Sequence, residues 1–173
     1  SSFVSDLFNC NLSEGTIFNI LNRAYDSLEN TENEIKNRLL ESPQIHADET
    51  GIYVEKLRQW LFSYSNKNYT FYDFHKKRGK EAMDDIGFME NYKGIATHDC
   101  WKTYEAYENC LHSFCNAHFL RELNGIMETT EFKFPKEIKE TLLSMKNLVD
   151  TGESISKEAK DSMISLYHSQ LNK

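Results

Sequence analysis

The sequence predicts an α/β fold in which a mixed five-stranded sheet carries helices on its faces. Three observations predict it. Between Gln44 and Phe74, three apolar or aromatic-rich runs follow one another across short connections. From Lys77 to about Met127, segments of helical and strand character then alternate. Both ends of the chain place apolar residues at i, i+3, i+4 spacing, which marks amphipathic helices.

Near the start, Ser13 is a suitable N-cap for a helix carrying Ile17, Ile20, Leu21, Ala24 and Leu28. A second helix is expected through Ile35, Leu39 and Leu40. It should end before Pro43, because a residue preceding proline disfavours the helical region. Ile45 to Glu49 is expected as a short first strand, Leu57 to Ser63 as a second and Tyr69 to Phe74 as a third. Ser65-Asn66-Lys67-Asn68 supplies a polar turn between the last two, so the three strands suit an antiparallel meander. Lys77 to Ile86 reads as a helix ending near Gly87. Gly94 to His98 is a fourth strand, Trp101 to Tyr107 a short helix, Leu111 to Phe114 a fifth strand, and Asn116 to Met127 a helix. Ile138, Leu142, Met145 and Leu148 predict a further helix, and Ala159, Met163, Leu166 and Tyr167 a last one, with Thr151-Gly152-Glu153-Ser154 between them. Three leading strands followed by a helix and a strand is the order of the ribonuclease H-like fold. The expected organisation is a helical segment over 1–41, a ribonuclease H-like core over 42–131 and a helical segment over 132–173.

A chain of 173 residues, 39% hydrophobic and 27% charged, is large enough to fold around its own core. Cys10, Cys100, Cys110 and Cys115 are therefore not needed as a disulfide framework, and reduced thiols in a cytoplasmic protein are expected. No apolar run approaches the roughly twenty residues of a membrane-spanning helix. The net charge of −7 argues against a non-specific nucleic-acid binder driven by electrostatics alone. Lys76, Lys77, Arg78 and Lys80 form the one dense basic cluster. It reads either as a solvated helix start or as a contact to a nucleic-acid backbone.

Two aspartates stand out. Asp48 lies in His46-Ala47-Asp48-Glu49-Thr50, where strand alternation puts it on one face with His46 and turns Ala47 and Glu49 to the other. Asp99 closes the fourth strand. Either one alone reads as a cap for the segment that follows. Together, at strand ends in this order, they suit a two-metal phosphoryl-transfer site, where cations about 3.5–4 Å apart need several converging carboxylates. Hard Mg²⁺ or Mn²⁺ fits such oxygen ligands. His46 is placed to orient the adjacent aspartate or a water. His112, Cys115 and His118 have H-x₂-C-x₂-H spacing, but no paired C-x₂-C accompanies them, so zinc is not expected. Packing is the alternative reading for Cys115 and His118.

The segments HADET, FYDFHKKRG, YKGIATHDCWKTY and CNAHFLREL occur in this order over about residues 44–124. They resemble successive signatures of the insertion-sequence-66 transposase family: an H-x-DET strand, a later R-G, an H-D-x-W-x-x-Y element and a C-N-A-H-x-x-R-E-L helix start. The resemblance implies a DDE-type transposase with a ribonuclease H-like fold. Asp48 and Asp99 would then be its first two catalytic, metal-binding aspartates, with Mg²⁺ or Mn²⁺ as the ions. The implied chemistry is hydrolysis of a DNA phosphodiester, then attack of the freed 3′-hydroxyl on target DNA. Cys115 and His118 match a pair that braces the active site in related families. Lys77, Arg78, Tyr104 and Arg121 are candidate DNA contacts. Implied partners are transposon-end DNA, target DNA and further copies of the chain.

One part of the pattern is missing. The family's third carboxylate is a glutamate in an Asn- and Arg-rich helix, and nothing after Glu131 matches it. Glu137, Glu140, Glu153 and Glu158 suit the solvated faces of amphipathic helices. The expectation is an incomplete acidic triad whose glutamate lies beyond residue 173, in a fragment or derivative inactive by itself. A ribonuclease H-like nuclease that hydrolyses without joining is an alternative. A non-catalytic interaction domain descended from a transposase is another.

Overall fold

A computed structural model of the chain describes residues 2–151, 156–158, 160–162 and 164–165. Ala159, Met163, Leu166 and Tyr167, which mark the expected last helix, lie outside the described residues, as do Gly152, Glu153 and Ser154 of the connection before it, while 157–158, 160–162 and 164–165 are helical. The chain divides into two compact units, Ser1–His112 and Ser113–Lys173.

The first unit begins with α1 (Ser2–Phe8) and α2 (Glu14–Leu40). Ser13 caps α2 by accepting the Thr16 N–H at 3.1 Å. The sequence pattern suggests two helices here, whereas the structure has one of 27 residues. Neither glycine nor proline occurs between Thr16 and Leu40, so no residue is present that would break the helix. It stops short of Pro43, as the proline rule requires.

Three antiparallel strands follow: β1 (Gln44–Val54), β2 (Leu57–Ser65) and β3 (Thr70–His75). β1 runs well past its expected end at Glu49. The hairpin turns on only Glu55 and Lys56, both at positive φ (52° and 67°), so the Asn-Gly signal of such a turn is absent from the sequence. Left-handed backbone costs an ordinary residue roughly 1–2 kcal/mol. Replacing the pair by Asn-Gly is therefore expected to stabilise the protein by about 1–2 kcal/mol, read as a higher urea midpoint at unchanged m-value.

α3 (Lys80–Ile86) starts later than expected because Gly79 sits at φ 120°, and it ends on Gly87 in the left-handed conformation (φ 65°). Lys36 of α2 donates to the Ile86 carbonyl at 3.0 Å, satisfying one of the acceptors left at the end of α3. β4 (Ile95–His98) pairs with β1 in parallel. A single 3₁₀ turn, Tyr104–Ala106, replaces the short helix expected over Trp101 to Tyr107. The Asp99 side chain takes the Trp101 N–H and tightens the chain there. With β5 (Leu111–Phe114) the sheet order is β3-β2-β1-β4-β5. This mixed five-stranded sheet flanked by helices is the ribonuclease H-like arrangement expected from the strand order.

Alternation along β1 buries Ile45 and Ala47 and exposes His46 and Asp48. The buried face packs on Leu39, Phe62, Tyr64, Met83, Phe88 and Tyr92, with Tyr64 and Phe88 stacked at 4.2 Å between ring centroids.

In the second unit, α4 (Asn116–Thr129) packs on α5 (Phe134–Asp150), and Leu123 and Ile138 are buried. Pro135 occupies the first turn of α5, where its missing N–H costs nothing. Lys139 donates to Asn124 at 2.8 Å. Among the described residues no helix is long and apolar enough to cross a membrane.

Candidate active site

The parallel ladder between β1 and β4 pairs Gln44 with Ile95, Ile45 with Ala96 and His46 with Thr97. It ends there. Asp48, within β1, and Asp99, the residue after β4, each stand two residues past its last pair. Alternation along β1 returns Asp48 to the face of His46. Asp48 is exposed and its Oδ1 accepts the Glu49 N–H at 3.0 Å. Asp99 is half-buried and its Oδ1 accepts the Trp101 N–H at 2.9 Å. Each aspartate thus keeps a second oxygen uncommitted among the described residues. His46 is exposed, opposite Ser65 of β2.

Glu49 was not among the residues singled out from the sequence. Alternation turns it inward, and its side chain is only 1% exposed. A carboxylate buried so far needs partners. Arg78 supplies two bonds to Oε1, from Nε at 3.1 Å and from Nη2 at 2.5 Å, while the Tyr104 hydroxyl donates to Oε2 at 2.8 Å. Burial pushes the Glu49 carboxyl up from its ordinary range, and the bonds from Arg78 and Tyr104 oppose that shift. The signal was present in the sequence: a glutamate on the core face of a strand, with an arginine before a glycine available to meet it.

The predicted cationic contacts have defined surroundings. Lys77 pairs with Glu81 at 2.8 Å on the first turn of α3. The Arg78 guanidinium carbon lies 4.7 Å from the ring centre of Trp60 and 4.2 Å from that of Trp101. Tyr104 is 1% exposed and stacks on His98 at 4.4 Å. His98 is itself buried; its Nδ1 donates to the Asp99 carbonyl and its Nε2 lies 2.9 Å from His112 Nδ1. Burial lowers the His98 pKa, favouring the neutral ring. His112 also donates from Nε2 to the Tyr107 carbonyl at 3.0 Å, so both of its ring nitrogens are engaged within the first unit.

The remaining predicted residues belong to the second unit. Cys115 occupies the N-cap position of α4 without a side-chain cap bond. His118 follows in the first turn, and its Nδ1 is buried with no partner among the described residues. Arg121 is exposed, its Nε donating to the Ala117 carbonyl at 3.4 Å.

The donor chemistry at Asp48 and Asp99 is all oxygen, which suits Mg²⁺ or Mn²⁺. Among the described residues no group of three or more His, Cys, Asp or Glu converges to hold a metal ion. Two carboxylates alone would leave most of a metal's coordination to water and substrate phosphate.

Residues 1–170 match the family described as "Transposase IS66 family". No curated protein matches the chain. Among solved structures, it is similar to a chain in the cryo-EM structure of the simian T-cell lymphotropic virus intasome in complex with PP2A regulatory subunit B56 gamma. That similarity has 12% identity and a TM-score of 0.35, and covers 72% of this chain and 48% of the other. This chain thus spans about half the length of that relative. A second similarity is to the HTLV-2 integrase catalytic core domain in complex with magnesium (trimeric form), at 14% identity and a TM-score of 0.34, covering 72% and 81% of the two chains. With a family match over nearly its whole length, the chain belongs to the IS66 family of transposases.

Proposed function

We propose that this chain is the catalytic core of a DNA transposase that cuts DNA strands with divalent metal and joins the freed 3′ ends to a target. The observation that carries this reading is the matched position of Asp48 and Asp99, each two residues past the last β1–β4 pair, in a chain of this family. Asp48 and Asp99 hold Mg²⁺ or Mn²⁺, which when bound supplies nucleophile activation and stabilisation of the leaving oxygen. The chain's own part is positional. The β1–β4 ladder brings the two chain segments side by side just before the aspartates, and the exposed side of β1 leaves Asp48 open to an approaching phosphodiester.

The core covers 42–131, with helical segments over 1–41 and 132–173. His46 supports the site, and Lys77 is a contact to DNA phosphates. Arg78 and Tyr104 are turned inward to Glu49. The working form is a homo-oligomer on paired transposon ends in the cytoplasm.

The test is to incubate the full-length protein with Mn²⁺ and element-end DNA and to follow cleavage and joining separately. Both products are expected. Cleavage without joining would indicate a nuclease instead, and neither product would indicate a non-catalytic domain.

A further inference from the structure

The β1–β4 ladder stops at His46 and Thr97, so backbone hydrogen bonds between these two strands do not reach the aspartates. Something else must set the distance between the end of that ladder on β1 and the turn after β4. Both neighbourhoods converge on one guanidinium. Glu49, the residue after Asp48, takes two bonds from Arg78. Trp101, whose N–H is held by the Asp99 carboxylate, stacks on the same guanidinium. Trp60, paired across the hairpin with Gly51 of β1, stacks on it too.

Tyr104 adds a second tie. Its hydroxyl holds the other Glu49 oxygen, and its ring lies against His98, the residue before Asp99, and edge-on to Trp101 at 5.8 Å. We propose that Arg78, seated between Trp60 and Trp101 and bonded to Glu49, is a positioning residue that fixes the span between Asp48 and Asp99. This rests on the reading of those aspartates as metal ligands.

The chemistry explains why arginine is required. A planar fork can give two bonds to a carboxylate oxygen while presenting flat surfaces to two indoles, and a lysine ammonium can do neither. The Glu49 carboxylate offsets the buried side of the charge, and Arg78 is left 37% exposed. The arrangement acts on the aspartates only through their chain neighbours, and Arg78 touches neither of them.

The test uses the full-length protein with Mn²⁺ and element-end DNA, comparing Arg78→Lys and Glu49→Gln with wild type and with Asp48→Asn. Both clamp variants are expected to melt within a few degrees of wild type and to bind end DNA within about twofold. Each is expected to need roughly tenfold more Mn²⁺ for half-maximal cleavage, the order seen when groups behind a metal ligand are altered. An unchanged Mn²⁺ requirement in both variants would overturn the proposal. So would a loss confined to DNA affinity, which would make Arg78 a phosphate contact. Trp60 and Trp101 are the only tryptophans in the chain, so intrinsic fluorescence reports on the clamp without any activity. Emission should change in Arg78→Lys and Glu49→Gln and stay unchanged in Asp48→Asn. A wild-type spectrum in both clamp variants would likewise overturn the clamp. Failure of the metal-ligand reading shows separately, as wild-type cleavage by Asp48→Asn.

Discussion

Asp48→Asn and Asp99→Asn are each expected to lower Mn²⁺-dependent cleavage of element-end DNA by about a thousandfold or more, roughly 4 kcal/mol of barrier, in the full-length protein. The substitution keeps shape and hydrogen bonding while removing the charge that holds a cation. An asparagine at 48 still accepts the Glu49 N–H, and one at 99 still accepts the Trp101 N–H. Asp48 is exposed and Asp99 half-buried, so neither change opens a cavity. Melting temperatures within a few degrees of wild type are therefore expected beside the loss of activity. The double variant should be hardly worse than either single one, because the two residues act as a unit on one metal pair. Cleavage at the wild-type rate by either single variant would remove that residue from the site.

Gly94→Ala is expected to destabilise the protein by about 3 kcal/mol or more, a fall in melting temperature on the order of 6–12 °C for a chain of this size. A Cβ at this position would lie 2.3 Å from the Tyr92 hydroxyl and 2.7 Å from the carbonyl oxygens of both Ser42 and Pro43. Two of these contacts are backbone, which cannot swing aside. Gly94 also stands where three strands begin. Ile95 donates to the Pro43 carbonyl at 2.9 Å, and Leu111 donates to the Gly94 carbonyl at 2.9 Å. The Tyr92 hydroxyl, which donates towards Ser42 and Ile95, would be displaced from a fully buried site. Tyr92→Phe alone removes only those bonds and should cost about 1 kcal/mol. If Gly94→Ala recovered its stability in a Tyr92→Phe background, the clash would lie with the hydroxyl and not with the backbone.

Secondary structure was most legible where one strong local signal acted alone. Ser13 marked the start of α2, Gly87 the end of α3, and Leu111 to Phe114 formed β5 at its expected bounds. Boundaries shifted where the local signal was weak or absent. The β1–β2 turn is made by Glu55 and Lys56 in a conformation those residues do not favour, so only the pairing of two long strands holds it. The single α2 helix was hidden by the wholly polar stretch from Glu29 to Glu34, which interrupts the apolar periodicity between Leu28 and Ile35.

The sequence by itself determined the class of the fold and its family, and it proposed Asp48 within β1 and Asp99 just after β4 as the acidic pair. These rest on information carried by short runs: strand alternation, capping residues, and four motifs in fixed order. Only the tertiary structure decided the role of Glu49 and the fate of Arg78 and Tyr104. In the sequence Arg78 is one cation in a basic cluster, and Tyr104 an aromatic beside an aspartate. Folding brings Glu49 within reach of residues 29 and 55 positions away. A carboxylate buried to 1% must bind such partners because no water remains to solvate it. Strand alternation can mark Glu49 as inward-facing, but only the fold selects Arg78 and Tyr104 as the groups that meet it.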